Sequence, residues 1–94
     1  MTQILQDLEA LLRERLVAAP EGSYSATLLH DSVTARRKIM EEAFELTLEL
    51  GADSVDKERT AEEAADLVFH TLAALVGAGV PLADVLAVLE GRWQ

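Results

Sequence analysis

The stretch Arg36-Arg37-Lys38-Ile39-Met40-Glu41-Glu42-Ala43-Phe44-Glu45, RRKIMEEAFE, sets three cations directly ahead of three carboxylates in a segment free of proline and glycine. Residues three and four apart share one face of an α-helix, so a helical reading crowds Glu41, Glu42 and Glu45 together. Like charges at that spacing destabilise an isolated helix by roughly 0.2–0.5 kcal/mol per pair. Helix propensity therefore does not account for them. The segment is either a solvated face or one half of a site that holds something charged.

The apolar pattern carries this helix from about Val33 to Leu50, and Gly51 is placed for a left-handed C-terminal residue. Upstream, Ile4, Leu5, Leu8, Leu11, Leu12 and Leu16 recur at three- and four-residue steps and predict an amphipathic helix over residues 2–18, with Thr2 as its N-cap. The intervening AAPEGSYSATLLHDS contains Pro20, Gly22 and several serines, which predict a loop with one short turn near Thr27 to His30. Downstream, Asp53 or Ser54 can cap a third helix reaching Ala78, after which Gly77 and Gly79 loosen the chain. Pro81 suits the first turn of a fourth helix over residues 81–91. No run of alternating apolar residues competes, so residues 1–94 read as one all-α domain, a four-helix bundle. Phe44 and Phe69 are expected in its core.

A chain of 94 residues buries only part of its apolar surface when it folds alone, so oligomerisation, a metal or disulfides are expected to help. The absence of cysteine removes disulfides and thiolate zinc sites. The fourth helix, PLADVLAVLEGRW, is apolar on almost every side and must be buried. A single small chain has little left to cover it. It is expected to pack in part against a second copy across a two-fold axis, with Trp93 as an edge anchor.

The N-terminal MTQILQDLEALLRERL lacks the features of a signal peptide, and no stretch approaches the roughly 18 consecutive apolar residues of a membrane span. A cytoplasmic protein is expected. The net charge of −9 argues against a nucleic-acid-binding surface. From Glu41 to Asp66 the chain carries ten acids and two bases, a net of −8, so the excess charge is concentrated in one segment. Such a cluster repels itself unless it is solvated or binds a cation.

A second acidic pair lies in that segment: Glu63 and Asp66 are three apart, with His70 four residues further on the same face. Carboxylates from two facing helices can converge on a metal inside a bundle. Oxygen donors without sulfur suit a hard cation, Mg²⁺ first and Mn²⁺ second, and Mg²⁺ commonly binds substrate phosphates beside carboxylates. Local alternatives exist at both pairs. Thr60 and Glu63 also form a capping-box pattern, which would occupy Glu63, and Lys38 can pair with Glu41 or Glu42 on its own helix.

EEAFE (Glu41 to Glu45) followed by EAAD (Glu63 to Asp66) resembles the E-E-x-x-E and E-x-x-D signature of the all-α nucleotide pyrophosphohydrolases of the MazG type. PEGSYSATLL, KIMEEA, EAADLVFH and GVPLADVLAVL are similar, in order and spacing, to the phosphoribosyl-ATP pyrophosphohydrolase family of histidine biosynthesis, over residues 4–92. Met40 stands where that family often has glycine. The resemblance implies a MazG-like bundle completed by dimerisation that hydrolyses phosphoribosyl-ATP to phosphoribosyl-AMP and pyrophosphate. It further implies Mg²⁺ on Glu42, Glu45, Glu63 and Asp66, with Glu41 orienting or deprotonating the attacking water. Lys38, and more weakly Arg37, would meet phosphate; Ser23 and Tyr24 would meet base or ribose, and His70 a carboxylate or the substrate. A nucleoside triphosphate pyrophosphohydrolase of the same fold, and a non-enzymatic helical dimerisation module, are the competing readings.

Overall fold

Five helices, α1 (Ile4–Ala18), α2 (Tyr24–His30), α3 (Ser32–Leu50), α4 (Lys57–Ala78) and α5 (Leu82–Trp93), follow one another in the computed structural model, which describes residues 3–18 and 20–93. No strand occurs among the described residues, as the all-α reading expects. The short turn expected before His30 is a complete helix. Ser23 Oγ accepts from the Ala26 N–H at 3.0 Å, and this cap starts α2 directly after the Pro20–Ser23 turn. The Thr2 cap lies outside the described residues.

Aspartates start the two longest helices. Asp31 accepts from the Thr34 N–H at 3.2 Å and from its hydroxyl at 2.8 Å, and Asp56 accepts from the Arg59 N–H at 3.1 Å. The cap of α4 is therefore Asp56, not Asp53 or Ser54, and Thr60 falls inside the helix, where its hydroxyl donates to the Asp56 carbonyl at 2.7 Å. The capping box between Thr60 and Glu63 is not formed, which leaves the Glu63 carboxylate free for other work. Gly51 ends α3 at φ −86°, so it is right-handed rather than left-handed; a left-handed glycine cap follows α4 instead, Gly79 at φ 76°.

The core lies where α1, α2 and α4 meet the start of α5: Leu12, Leu28, Leu29, Leu72, Ala73, Val76 and Leu82, flanked by Leu5, Leu8, Leu16 and Phe69. Gly77 sets how closely α2 approaches, because a Cβ there would stand 2.7 Å from the Leu29 carbonyl oxygen, backbone that has no rotamer to change. Gly77→Ala should therefore push α2 off α4 and cost about 1–3 kcal/mol, read as a lower Tm in thermal melts. An unchanged Tm would contradict this contact. The chain then turns by 114° into α5, whose Leu82 N–H donates to Glu9 Oε2 at 2.7 Å, so α1 satisfies one of the unpaired donors of the α5 start.

α3 packs most extensively on α4, and the pair forms a hairpin closed at its connection by Arg59 Nε donating to Glu49 Oε2 at 3.2 Å. Ala35, Ile39, Glu42 and Leu46 face inward, fully or half-buried. Phe44 follows Glu42 by two residues, about 200° around the helix, and is 63% exposed; it is not a core residue, in contrast to the expectation, while Phe69 is half-buried and packs against the core. Val33, Met40 and Leu48 share its outward apolar face, and along α5 Val88, Leu89 and Trp93 are also exposed.

Two magnitudes describe how open this arrangement is. The radius of gyration is 14.6 Å, against about 12 Å for a compact chain of this length. The accessible surface is 6769 Å², against about 5,300 Å² for a compact monomer of 10.2 kDa. No single helix among the described residues is long and apolar enough to cross a membrane.

Candidate metal centre

The α3–α4 hairpin brings Glu42, Glu45 and Glu63 together, with one carboxylate oxygen of each inside a group whose members all lie within 4.8 Å of one another. Glu42 is buried, Glu63 half-buried and Glu45 exposed, so the group opens outward from the helix interface. Oε2 of Glu42 and Oε2 of Glu63 are buried and make no hydrogen bond within the protein. An unpartnered buried carboxylate oxygen is costly, and two of them beside a third carboxylate are more so. The donor set is of the kind a divalent cation would take: every donor is oxygen, every one is anionic, and the exposed side leaves room for water or phosphate. Asp66 is exposed on α4, one turn beyond Glu63, and is not part of the close group.

The cations of RRKIMEEAFE are arranged around these acids. Lys38 Nζ lies 3.2 Å from Glu41 Oε2 and 3.6 Å from Glu42 Oε1, joining the two acids by pairs on its own helix. The Glu41 hydrogen bond, above all, holds Lys38 above the usual lysine range. An ammonium has three donors, so Lys38 can keep one partner and still offer a hydrogen to a phosphate oxygen. Arg37 reaches Glu41 at 4.0 Å from a largely exposed position, and Arg36 lines a separate apolar cavity of about 420 Å³ between α2, α3 and α4. Glu41 itself is half exposed and stands at the edge of the group, tied to it through Lys38.

From α2, Ser23 is committed to capping, whereas Tyr24 is 51% exposed and reaches across to α4, its hydroxyl 2.7 Å from His70 Nε2. The Arg59–Glu49 pair is not among the residues expected from the sequence. Glu49 follows Glu42 and Glu45 by seven and four residues, a helical spacing that could have placed it on the same face. Its hydrogen bond, first among the causes, raises Arg59 above the usual arginine value, and Glu63 adds to that field. This end of the acidic group is thus partly neutralised by a cation of α4.

Comparison with known proteins gives a consistent result. The family model for phosphoribosyl-ATP pyrophosphohydrolase matches residues 5–92. A phosphoribosyl-ATP pyrophosphatase of Pyrobaculum aerophilum is 40% identical over 93 residues, covering 98% of this chain and 97% of the relative. One from Methylobacterium nodulans is 39% identical over 92 residues, covering 97% of this chain and 84% of that protein. The histidine biosynthesis bifunctional protein HisIE of Deinococcus radiodurans is 49% identical over 90 residues, which cover 94% of this chain but 40% of the longer protein. No solved structure matches this one.

Proposed function

Because the chain belongs to the phosphoribosyl-ATP pyrophosphohydrolase family, we propose that it hydrolyses phosphoribosyl-ATP to phosphoribosyl-AMP and pyrophosphate, a step of histidine biosynthesis carried out in the cytoplasm. The observation that carries the reading is the pair of buried, unpartnered oxygens of Glu42 and Glu63 beside Glu45. A solvated acidic face, which a mere dimerisation module would have, does not bury such atoms.

Glu42, Glu45 and Glu63 hold Mg²⁺, or Mn²⁺ in its place, and Asp66 completes the set from the next turn of α4. The ion, when bound, offsets charge developing on the phosphate oxygens and favours ionisation of water. Glu41 orients the attacking water and takes its proton as the oxygen bonds to phosphorus, the α–β anhydride bond breaks and pyrophosphate leaves. Lys38 donates to a phosphate oxygen, with Arg37 a weaker second contact, and Ser23 and Tyr24 border the ribose or base. A second copy of the chain covers the exposed apolar faces of α3 and α5. The surface in excess of a compact monomer, about 1,500 Å², supports that assembly, since a standard interface buries about 800 Å² per partner.

The test is product analysis with Mg²⁺ present. Phosphoribosyl-ATP should give phosphoribosyl-AMP and pyrophosphate, with ATP and dUTP turned over far more slowly. Equal rates on all three would favour the broad nucleoside triphosphate pyrophosphohydrolase, and no pyrophosphate from any of them would favour the non-enzymatic module.

A further inference from the structure

His70 is buried, 7% exposed, and both its ring nitrogens are engaged inside the protein. Nδ1 lies 2.7 Å from the Asp66 carbonyl oxygen, which can only accept, so Nδ1 donates. In the tautomer with Nδ1 carrying the only hydrogen, Nε2 accepts the Tyr24 O–H at 2.7 Å. Phe69 meets the same imidazole edge-on at a centroid distance of 5.2 Å, and Tyr24 does so at 5.8 Å. The ring is held from three sides. Presenting a nitrogen to a ligand would require breaking one of these bonds.

Tyr24 is the opposite case. It opens α2, half of its surface faces solvent, and after donating its hydrogen the phenol oxygen still has lone pairs to offer. Its bond to His70, and that ring's bond to the Asp66 carbonyl, tie it to the turn of α4 that follows Glu63. The hydroxyl thus sits where α2 and α4 meet, at a histidine two turns of α4 beyond Glu63. α2 has only seven residues and cannot hold its own position by helix formation, so its placement depends on such tertiary bonds.

We infer that His70 is a positioning residue that acts through Tyr24: the imidazole holds the phenol as a pre-ordered wall of the nucleotide site. The inference rests on the functional reading above. A side chain ordered beforehand does not have to be ordered when the ligand arrives, so the gain appears in affinity more than in the chemical step.

The experiment is calorimetric binding of phosphoribosyl-AMP to the full chain with Mg²⁺, together with KM and kcat for phosphoribosyl-ATP. Tyr24→Phe keeps the ring and removes the hydroxyl, while His70→Phe keeps a ring in the buried position and removes the acceptor. Each should weaken product binding roughly three- to tenfold, the effect of one neutral hydrogen bond, and raise KM more than it lowers kcat. The double variant should bind no more weakly than the weaker single variant, because both break one link. His70→Gln, whose side-chain carbonyl can accept the Tyr24 hydrogen, should recover part of the loss. Unchanged affinity in Tyr24→Phe, or effects that multiply in the double variant, would overturn the inference, and Tyr24→Phe decides it even if His70→Phe does not fold. A wild-type chain that binds no phosphoribosyl-AMP would overturn the functional reading itself, an outcome distinct from binding that the variants leave unchanged.

Discussion

Glu42→Gln should lower turnover by at least about a hundredfold while leaving the metal-free protein as stable as before, or more so. Loss of groups that merely orient metal ligands typically costs 10- to 100-fold, so loss of a ligand belongs at or beyond the upper end of that range. The stability half of the expectation follows from the geometry. Glu42 is buried with one oxygen unpartnered and has two other carboxylates within 4.8 Å. At an effective dielectric of 20, a like-charge pair at that separation is worth roughly 3.5 kcal/mol of repulsion before solvent screening at the exposed Glu45, and Lys38 at 3.6 Å from Glu42 partly offsets it. Substitution by the neutral amide of the same shape relieves that repulsion. Mg²⁺ should raise the Tm of the wild type, as any ligand specific to the folded chain does, and should leave the variant's Tm unmoved. Parallel assays of pyrophosphate release and thermal melting check both halves. A variant that melts well below the metal-free wild type would mean that Glu42 holds the fold together and that the site has been misassigned.

The second large effect concerns assembly. The wild type should sediment as a dimer at micromolar concentration, and Phe44→Glu or Leu89→Glu should dissociate it. Both residues are exposed in the single chain, 63% and 47%, on helices that turn an apolar face outward. Burying a side chain of this size contributes about 1.5–3 kcal/mol, and a two-fold interface counts each substitution twice. The dimer should therefore weaken by roughly a hundred- to ten-thousand-fold, since 1.4 kcal/mol is a factor of ten. Helix content by circular dichroism should stay close to wild type. A wild-type chain that sediments as a stable monomer would contradict the account of α3 and α5.

The parts of this architecture that were legible in the sequence are those set by local spacing. The three- and four-residue apolar steps of α1 and the acid pairs of α3 and α4 declare themselves because a helix puts such residues on one face whatever surrounds it. What depends on distant partners was not legible. α2 is hidden by Pro20 and Gly22, and its start depends on the Ser23 cap and on the bond from Tyr24 to a histidine 46 residues away. Phe44 reads as core because it is apolar, yet α3 carries apolar residues on two faces and sequence cannot say which one meets α4. Whether Glu63 caps its helix or faces the other acids turned on where α4 begins. The sequence suggests Asp53 or Ser54 as the cap, whereas the residue that accepts the helical N–H is Asp56, two or three positions further on. Arg59 and Glu49, which close the hairpin beside the acids, lie ten residues apart across a turn, beyond any helical spacing rule.

Direct detection of the ion is the most searching test. Mn²⁺ titrated into the wild-type chain and followed by electron paramagnetic resonance should bind saturably and be displaced by Mg²⁺, and Glu63→Gln should abolish that binding without unfolding the chain. Mn²⁺ that stays free at millimolar concentration, or that binds Glu63→Gln as tightly as the wild type, would contradict the assignment of these carboxylates as a metal centre.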